Sequence, residues 1–134
     1  MFSYPVTVQL HHTDAYGIIF FANQFVLCHA CFQAFLEEAG IPLPPTRAQA
    51  SELLVIVHAE SDYQAPIQLG DKLCIDYRCE KLGSTSVTNR FTFTNQHGVV
   101  VGQVRTVHVF IDPLTSRKLP IPARWLTALA GNLE

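Results

Sequence analysis

GIIFFANQFVLCHACFQAFL, residues 17–36, is apolar over a length that matches a membrane span. Four polar residues interrupt it, Asn23, Gln24, His29 and Gln33, and no Lys or Arg flanks either end closely. Spanning segments are built the other way round, so the stretch reads as a helix buried in protein. Asn23 is a plausible N-cap, and Gly40 followed by Pro42 is a stop signal, which predicts a helix over residues 23–39. Its apolar residues, Phe25, Leu27, Cys28, Cys31, Phe32, Phe35 and Leu36, lie nearly all round. A helix apolar on most faces is enclosed by other structure.

The rest of the chain supplies that cover. Upstream, PVTVQLHH at residues 5–12 alternates and reads as a half-buried strand. Thr13-Asp14-Ala15-Tyr16-Gly17 then carries turn chemistry into the helix. Downstream of a Pro-rich connector at residues 41–51, four strand-like runs follow: Leu53–Tyr63, Leu73–Lys81, Thr85–Thr94 and Val99–Ile111. Turn signals separate them, at Ala65-Pro66 with Gly70-Asp71, at Leu82-Gly83-Ser84 and at Asn95-Gln96-His97-Gly98. A short helix around Ala123–Leu129 closes the chain. One strand, a long helix and four strands imply an α+β domain over residues 1–134, with a five-stranded antiparallel sheet wrapped around a central helix. That is the hotdog arrangement. One sheet covers only part of so apolar a helix and leaves strand edges open, so sheets are expected to join edge to edge in a homo-oligomer.

Composition narrows the partners. Hydrophobic residues make up 49% of the chain and charged residues 15%, which excludes disorder and leaves apolar surface for a second subunit to cover. A net charge of −2 without a basic run gives no nucleic-acid footprint. The N-terminus lacks the positive region of a secretory signal, and the four cysteines fall inside regular elements, which fits a reducing cytoplasm. Cys28-His29-Ala30-Cys31 has redox and zinc spacing, but its apolar neighbours make the cysteines packing residues. His11, His12, His58, His97 and His108 do not form a metal-ligand spacing, and no metal or cofactor is expected.

The chemistry-bearing stretch is His12 to Asn23. It places a carboxylate, Asp14, on a loop between a strand end and the beginning of a buried helix. A helix N-terminus offers unpaired N–H groups that can polarise a carbonyl and stabilise an oxyanion. A carboxylate beside it can attack the carbonyl or deprotonate water. Thioesters suit this equipment, because a thiol with a pKa near about 8.5 leaves without strong acid assistance. On local chemistry alone, Asp14 reads more readily as a turn cap.

The run D-x-x-G-[IV]-[IV]-[FY]-[FY]-A-N, Asp14 to Asn23, resembles the signature of the 4-hydroxybenzoyl-CoA thioesterase family. Tyr63-x-x-Pro66-x-x-x-Gly70-Asp71-x-Leu73, Ser84-x-Ser86, Val107–Asp112 and Pro120-x-Pro122 extend the resemblance along essentially the whole chain. It implies hydrolysis of an acyl-CoA, with Asp14 as nucleophile or general base, the Phe21 backbone N–H polarising the carbonyl and Gly17 keeping the loop tight. Asn23-Gln24-Phe25-x-x-Cys28-His29, Val57-His58-Ala59-x-Ser61 and Lys118-x-Pro120-x-Pro122-x-x-Trp125 look most like the branch that hydrolyses 1,4-dihydroxy-2-naphthoyl-CoA in phylloquinone or menaquinone synthesis. Tyr16, Phe20, Phe25, His29 and Tyr63 are then the candidate substrate contacts, and a tetramer of paired dimers is the expected assembly. Many relatives carry an acidic residue where this chain has His29, which either bonds a ring hydroxyl or is a satisfied core residue. Gly83-Ser84-Thr85 replaces a basic hairpin, which leaves Arg90, Arg105, Arg117 and Lys118 as candidates for the CoA phosphates. Other acyl-CoA hydrolases, a hotdog dehydratase or isomerase, and a non-catalytic acyl-CoA binder are the competing readings.

Overall fold

A computed structural model describes all residues 1–134. Strand β1 (Phe2–Thr7) leads through a 3-10 turn (Leu10–His12) to helix α1 (Phe21–Glu38). After a second 3-10 turn (Arg47–Gln49) come β2 (Leu53–Tyr63), β3 (Lys72–Leu82), β4 (Ser86–Thr94), β5 (Val100–Ile111) and helix α2 (Ala123–Ala130). The strands form one antiparallel sheet in the order β1-β3-β4-β5-β2. No helix is long and apolar enough to cross a membrane.

Alternation along the three inner strands builds the core. Leu73, Ile75, Tyr77 and Cys79 of β3, Val87, Phe91 and Phe93 of β4, and Val104 and Phe110 of β5 are buried. They meet Leu27, Cys31, Phe32, Phe35 and Leu36 of α1, also buried. Aromatic pairs dominate the contact: the Phe35 and Tyr77 rings lie 4.6 Å apart and the Phe32 and Tyr77 rings 5.6 Å apart. Helix α2 seals the far end, with Trp125 edge-on to Phe110 and its indole N–H donating to Glu52.

Two expectations need correction. The first strand stops at Thr7, and Leu10–His12 turns as 3-10 helix because the Gln9 N–H donates back to His12 Nδ1. Pro5 is tolerated inside β1 because β1 is an edge strand. Helix α1 begins two residues early, and Asn23 does not cap it: its amide donates to the His12 carbonyl instead. As expected, the sheet of one chain covers only part of the helix. Phe21, Val26, His29, Gln33 and Glu37 are exposed along an outer stripe.

The helix start is fixed by an unusual contact. Gln24, fully buried, donates from Nε2 to Ser61 Oγ (2.8 Å) and to the Asp62 carbonyl (2.9 Å) on β2. Its amide lies over Gly102 of β5, where a Cβ would come within 2.6 Å of Nε2 and 2.8 Å of Oε1. Gly102 is thus required for close approach, even though its backbone is ordinary strand. Gly102→Ala should destabilise the protein by about 1–3 kcal/mol through overpacking and loss of buried amide bonds. In denaturant unfolding, the loss in Gly102→Ala combined with Gln24→Ala should fall well short of the sum of the single losses. Strict additivity would show that the two residues are not coupled.

Candidate active site

The loop that carries Asp14 is a tight hairpin. Thr13 bridges to Ile19, the Asp14 N–H donates to the Ile18 carbonyl (3.0 Å), and Asp14 Oδ1 accepts from the Tyr16 N–H (2.8 Å). Asp14 is half-buried, and its Oδ2 accepts no hydrogen bond within the chain. Gly17 turns the hairpin at φ +76°, a conformation other residues adopt only at a cost. The segment after β2 buttresses the loop, since the Ile19 N–H donates to the Ile67 carbonyl (2.7 Å) and Ile18 bridges to Gln68.

The same hairpin delivers the chain into α1. The Phe20 N–H donates to the His12 carbonyl (2.9 Å), and the N-cap position, Phe20, supplies no side-chain bond. The N–H groups of Phe21 and Ala22 therefore have no acceptor in the chain. They carry the positive end of an 18-residue helix. Tyr63, the last residue of β2, donates its hydroxyl to the Phe21 carbonyl (2.8 Å), which clamps this first turn to the sheet.

A cavity of about 380 Å³ opens between α1 and the β2–β5 side of the sheet. That size lies within the range of about 300–1,000 Å³ that small-molecule pockets occupy. Phe25, Phe32, Ile56 and Phe91 give it an apolar wall, and His29, Thr106 and His108 are its polar members. Ile56 and Ala59 both face it, although a regular strand would turn residues three apart to opposite faces. The bulge at Val57, where Ile56 pairs with His108 and His58 with Val107, restores both to one side.

The predicted site residues thus fall into two groups. Asp14, Tyr16, Gly17, Phe20, Phe21 and Tyr63 gather at the helix entrance, and Tyr16, Phe20, Phe21 and Tyr63 are exposed there. Of the aromatic residues expected to line an acyl pocket, only Phe25 reaches the cavity, together with His29. Phe21, Phe25 and His29 follow one another at i, i+4 and i+8, so one stripe of α1 runs from the free N–H groups to the cavity over about 12 Å.

Other candidates are reassigned. Arg105 pairs with Glu80 (2.6 Å) and Glu60 (3.1 Å), and Arg90 with Glu80 (3.0 Å) and Glu134 (3.3 Å), so both are engaged within the chain. Arg117 and Lys118 are exposed. Cys28 and Cys31 are free and buried, and burial pushes the Cys28 thiol up to about 12, which suits packing rather than redox chemistry. One residue escaped the sequence reading. His108 is 4% exposed, its imidazole lies 5.3 Å from the Phe32 ring, and burial followed by the proximity of His29 lowers its pKa to about 4. His108 stands at an inward-facing position of β5 that belongs to the cavity wall.

The profile of the thioesterase-like superfamily matches residues 8–129. The chain belongs to that superfamily. A 1,4-dihydroxy-2-naphthoyl-CoA hydrolase from Rippkaea orientalis is 33% identical over 98% of this chain and 99% of its own length. One from Synechococcus sp. (strain CC9605) is 37% identical over 91% of this chain and 87% of its own. The crystal structure of a 1,4-dihydroxy-2-naphthoyl-CoA thioesterase from Synechocystis superposes with a TM-score of 0.90 at 25% identity, covering 96% of this chain and 95% of that one. A gentisyl-coenzyme A thioesterase structure superposes at 0.82 and 25% identity, over 95% of this chain and 98% of that one. These likenesses bear out the hotdog fold, and the 4-hydroxybenzoyl-CoA label names only the broader group.

Proposed function

We propose that this protein is an acyl-CoA thioesterase that hydrolyses 1,4-dihydroxy-2-naphthoyl-CoA to 1,4-dihydroxy-2-naphthoate and CoA, a step of phylloquinone or menaquinone synthesis. The observation that carries the reading is the pair of unpartnered N–H groups at the start of α1, beside a carboxylate loop and one stripe away from an apolar cavity. The full-length likeness to 1,4-dihydroxy-2-naphthoyl-CoA hydrolases supports the choice of acyl group. The gentisyl-coenzyme A thioesterase favours, as a second reading, a single-ring dihydroxylated acyl group.

In this mechanism the thioester carbonyl oxygen sits at the Phe21 N–H, and the acyl ring follows Phe25 and His29 into the cavity. The N–H groups hold the oxyanion as the carbonyl carbon becomes tetrahedral. Asp14 either attacks that carbon, forming a mixed anhydride that water then hydrolyses, or takes a proton from the water that attacks directly. In both routes the C–S bond breaks and CoA leaves as thiolate. Gly17 sets the turn that presents the carboxylate, and Tyr16, Phe20 and Tyr63 form the rim. Asp14→Asn should fold normally and lose about 10²- to 10⁴-fold in rate, because an amide is a far poorer nucleophile and base. Turnover near wild type in a folded Asp14→Asn protein would return Asp14 to a turn residue.

The assembly completes this reading. Strand β2 ends the sheet, and Ile56 (49% exposed), Val57 (60%) and Val26 (55%) leave apolar surface on and beside its free edge. Two copies pairing along β2 cover that surface, and two such dimers form a tetramer. Sedimentation should find a dimer or tetramer at micromolar concentration; a stable monomer there would overturn the proposal.

A further inference from the structure

Three buried side-chain atoms lack a hydrogen-bond partner: Gln24 Oε1, Asn89 Nδ2 and His108 Nδ1. Of the three residues, only His108 lies on the wall of the cavity. A buried polar atom without a partner destabilises a protein, so such atoms call for an explanation in ligand or mechanism. The other ring nitrogen, Nε2, is engaged with Thr106 Oγ1 at 3.1 Å, and Thr106 is itself buried on the same wall. Phe32 packs against the imidazole, which leaves a polar spot in apolar surroundings. His29 also faces the cavity but is exposed, so water can satisfy it.

A neutral imidazole has one donor and one acceptor nitrogen. Whichever role Nε2 takes with Thr106, Nδ1 takes the other. A hydroxyl can both donate and accept, and so pairs with either tautomer, whereas a carboxylate only accepts and a C–H does neither. The proposed substrate brings two hydroxyls. The one adjacent to the thioester carbonyl closes an internal hydrogen bond with it. The other, on C4, has no internal partner and needs one when the ring leaves water.

We propose that His108, held by Thr106, is the specificity-determining residue that receives the C4 hydroxyl of the acyl ring. The assignment rests on the proposed substrate class and adds the residue that distinguishes hydroxylated rings from plain ones. A site built around a hydroxyl leaves its own polar atom unmet when the hydroxyl is missing, and rejects that analogue. Contacting the C4 hydroxyl and not the reacting carbon, His108 acts on which acyl group is accepted.

The test is steady-state kinetics on the full chain with two substrate pairs, each differing by one hydroxyl. The pairs are 1,4-dihydroxy-2-naphthoyl-CoA against 1-hydroxy-2-naphthoyl-CoA, and 2,5-dihydroxybenzoyl-CoA against 2-hydroxybenzoyl-CoA. Wild type should prefer the dihydroxylated member by about 5- to 150-fold in kcat/KM. His108→Leu should abolish the preference by lowering turnover of the dihydroxylated member alone, with Tm unchanged or raised because an unpartnered polar group is gone. His108→Gln, which keeps a hydrogen-bonding end, should restore part of the preference and serves as the readout should the Leu variant fail to fold. An equal fall on both members, or no change on either, would overturn the assignment. Wild type active on the benzoyl pair alone would reject the naphthoyl substrate while His108 is still judged on that pair. Inactivity on all four would overturn both readings.

Discussion

The arrangement depends on how the first turn of α1 is tied to the sheet. Gln24 reaches through the gap left by Gly102 and bonds β2 at Ser61 and Asp62, and Tyr63 bonds the Phe21 carbonyl one turn earlier. A buried amide with two good bonds in a dry interior is costly to move. The helix therefore cannot slide or rotate on the sheet without breaking them. Everything proposed for catalysis inherits that fixity: the direction of the free N–H groups, the position of the Asp14 hairpin beside them, and the stripe leading to the cavity.

The anchor also explains the division of labour. At the helix start the N–H groups of Phe21 and Ala22 have no acceptor in the chain, and the positive end of the helix dipole lies there. Two turns further in, the wall becomes apolar, with polar atoms confined to His29, Thr106 and His108. The β2 bulge at Val57 is what allows Ile56 and Ala59 to share that wall. A charge-stabilising end and an apolar recognition wall on one helix face suit a substrate whose reacting carbonyl is bonded directly to an aromatic ring.

Much of this was legible in the residues because periodicity and turn chemistry are local. The four downstream strands, the Gly40 stop and the terminal helix fall within a residue or two of where alternation and Gly/Pro signals put them. The entrance was harder. PVTVQLHH alternates through His12, but the Gln9–His12 bond curls its end into a 3-10 turn, a choice that alternation cannot register. Asn23 has capping chemistry, yet its amide is taken by His12. Gly102 looks like an ordinary weak point in a strand; only the Gln24 side chain above it gives the glycine its purpose. His108 was similarly hidden, since inward-facing strand positions include both core and cavity wall.

In the proposed mechanism α1 presents its N-terminus to a thioester carbonyl while the stripe through Phe25 and His29 guides the acyl ring into the cavity. A crystal structure with a ketone analogue of the naphthoyl thioester, in which a methylene replaces the sulfur so that the bond cannot be cleaved, tests it directly. The carbonyl oxygen should lie about 2.7–3.1 Å from the Phe21 nitrogen and the ring between Phe25 and His108. A carbonyl held by other groups, or a ring bound outside the α1–β2–β5 cavity, would contradict it.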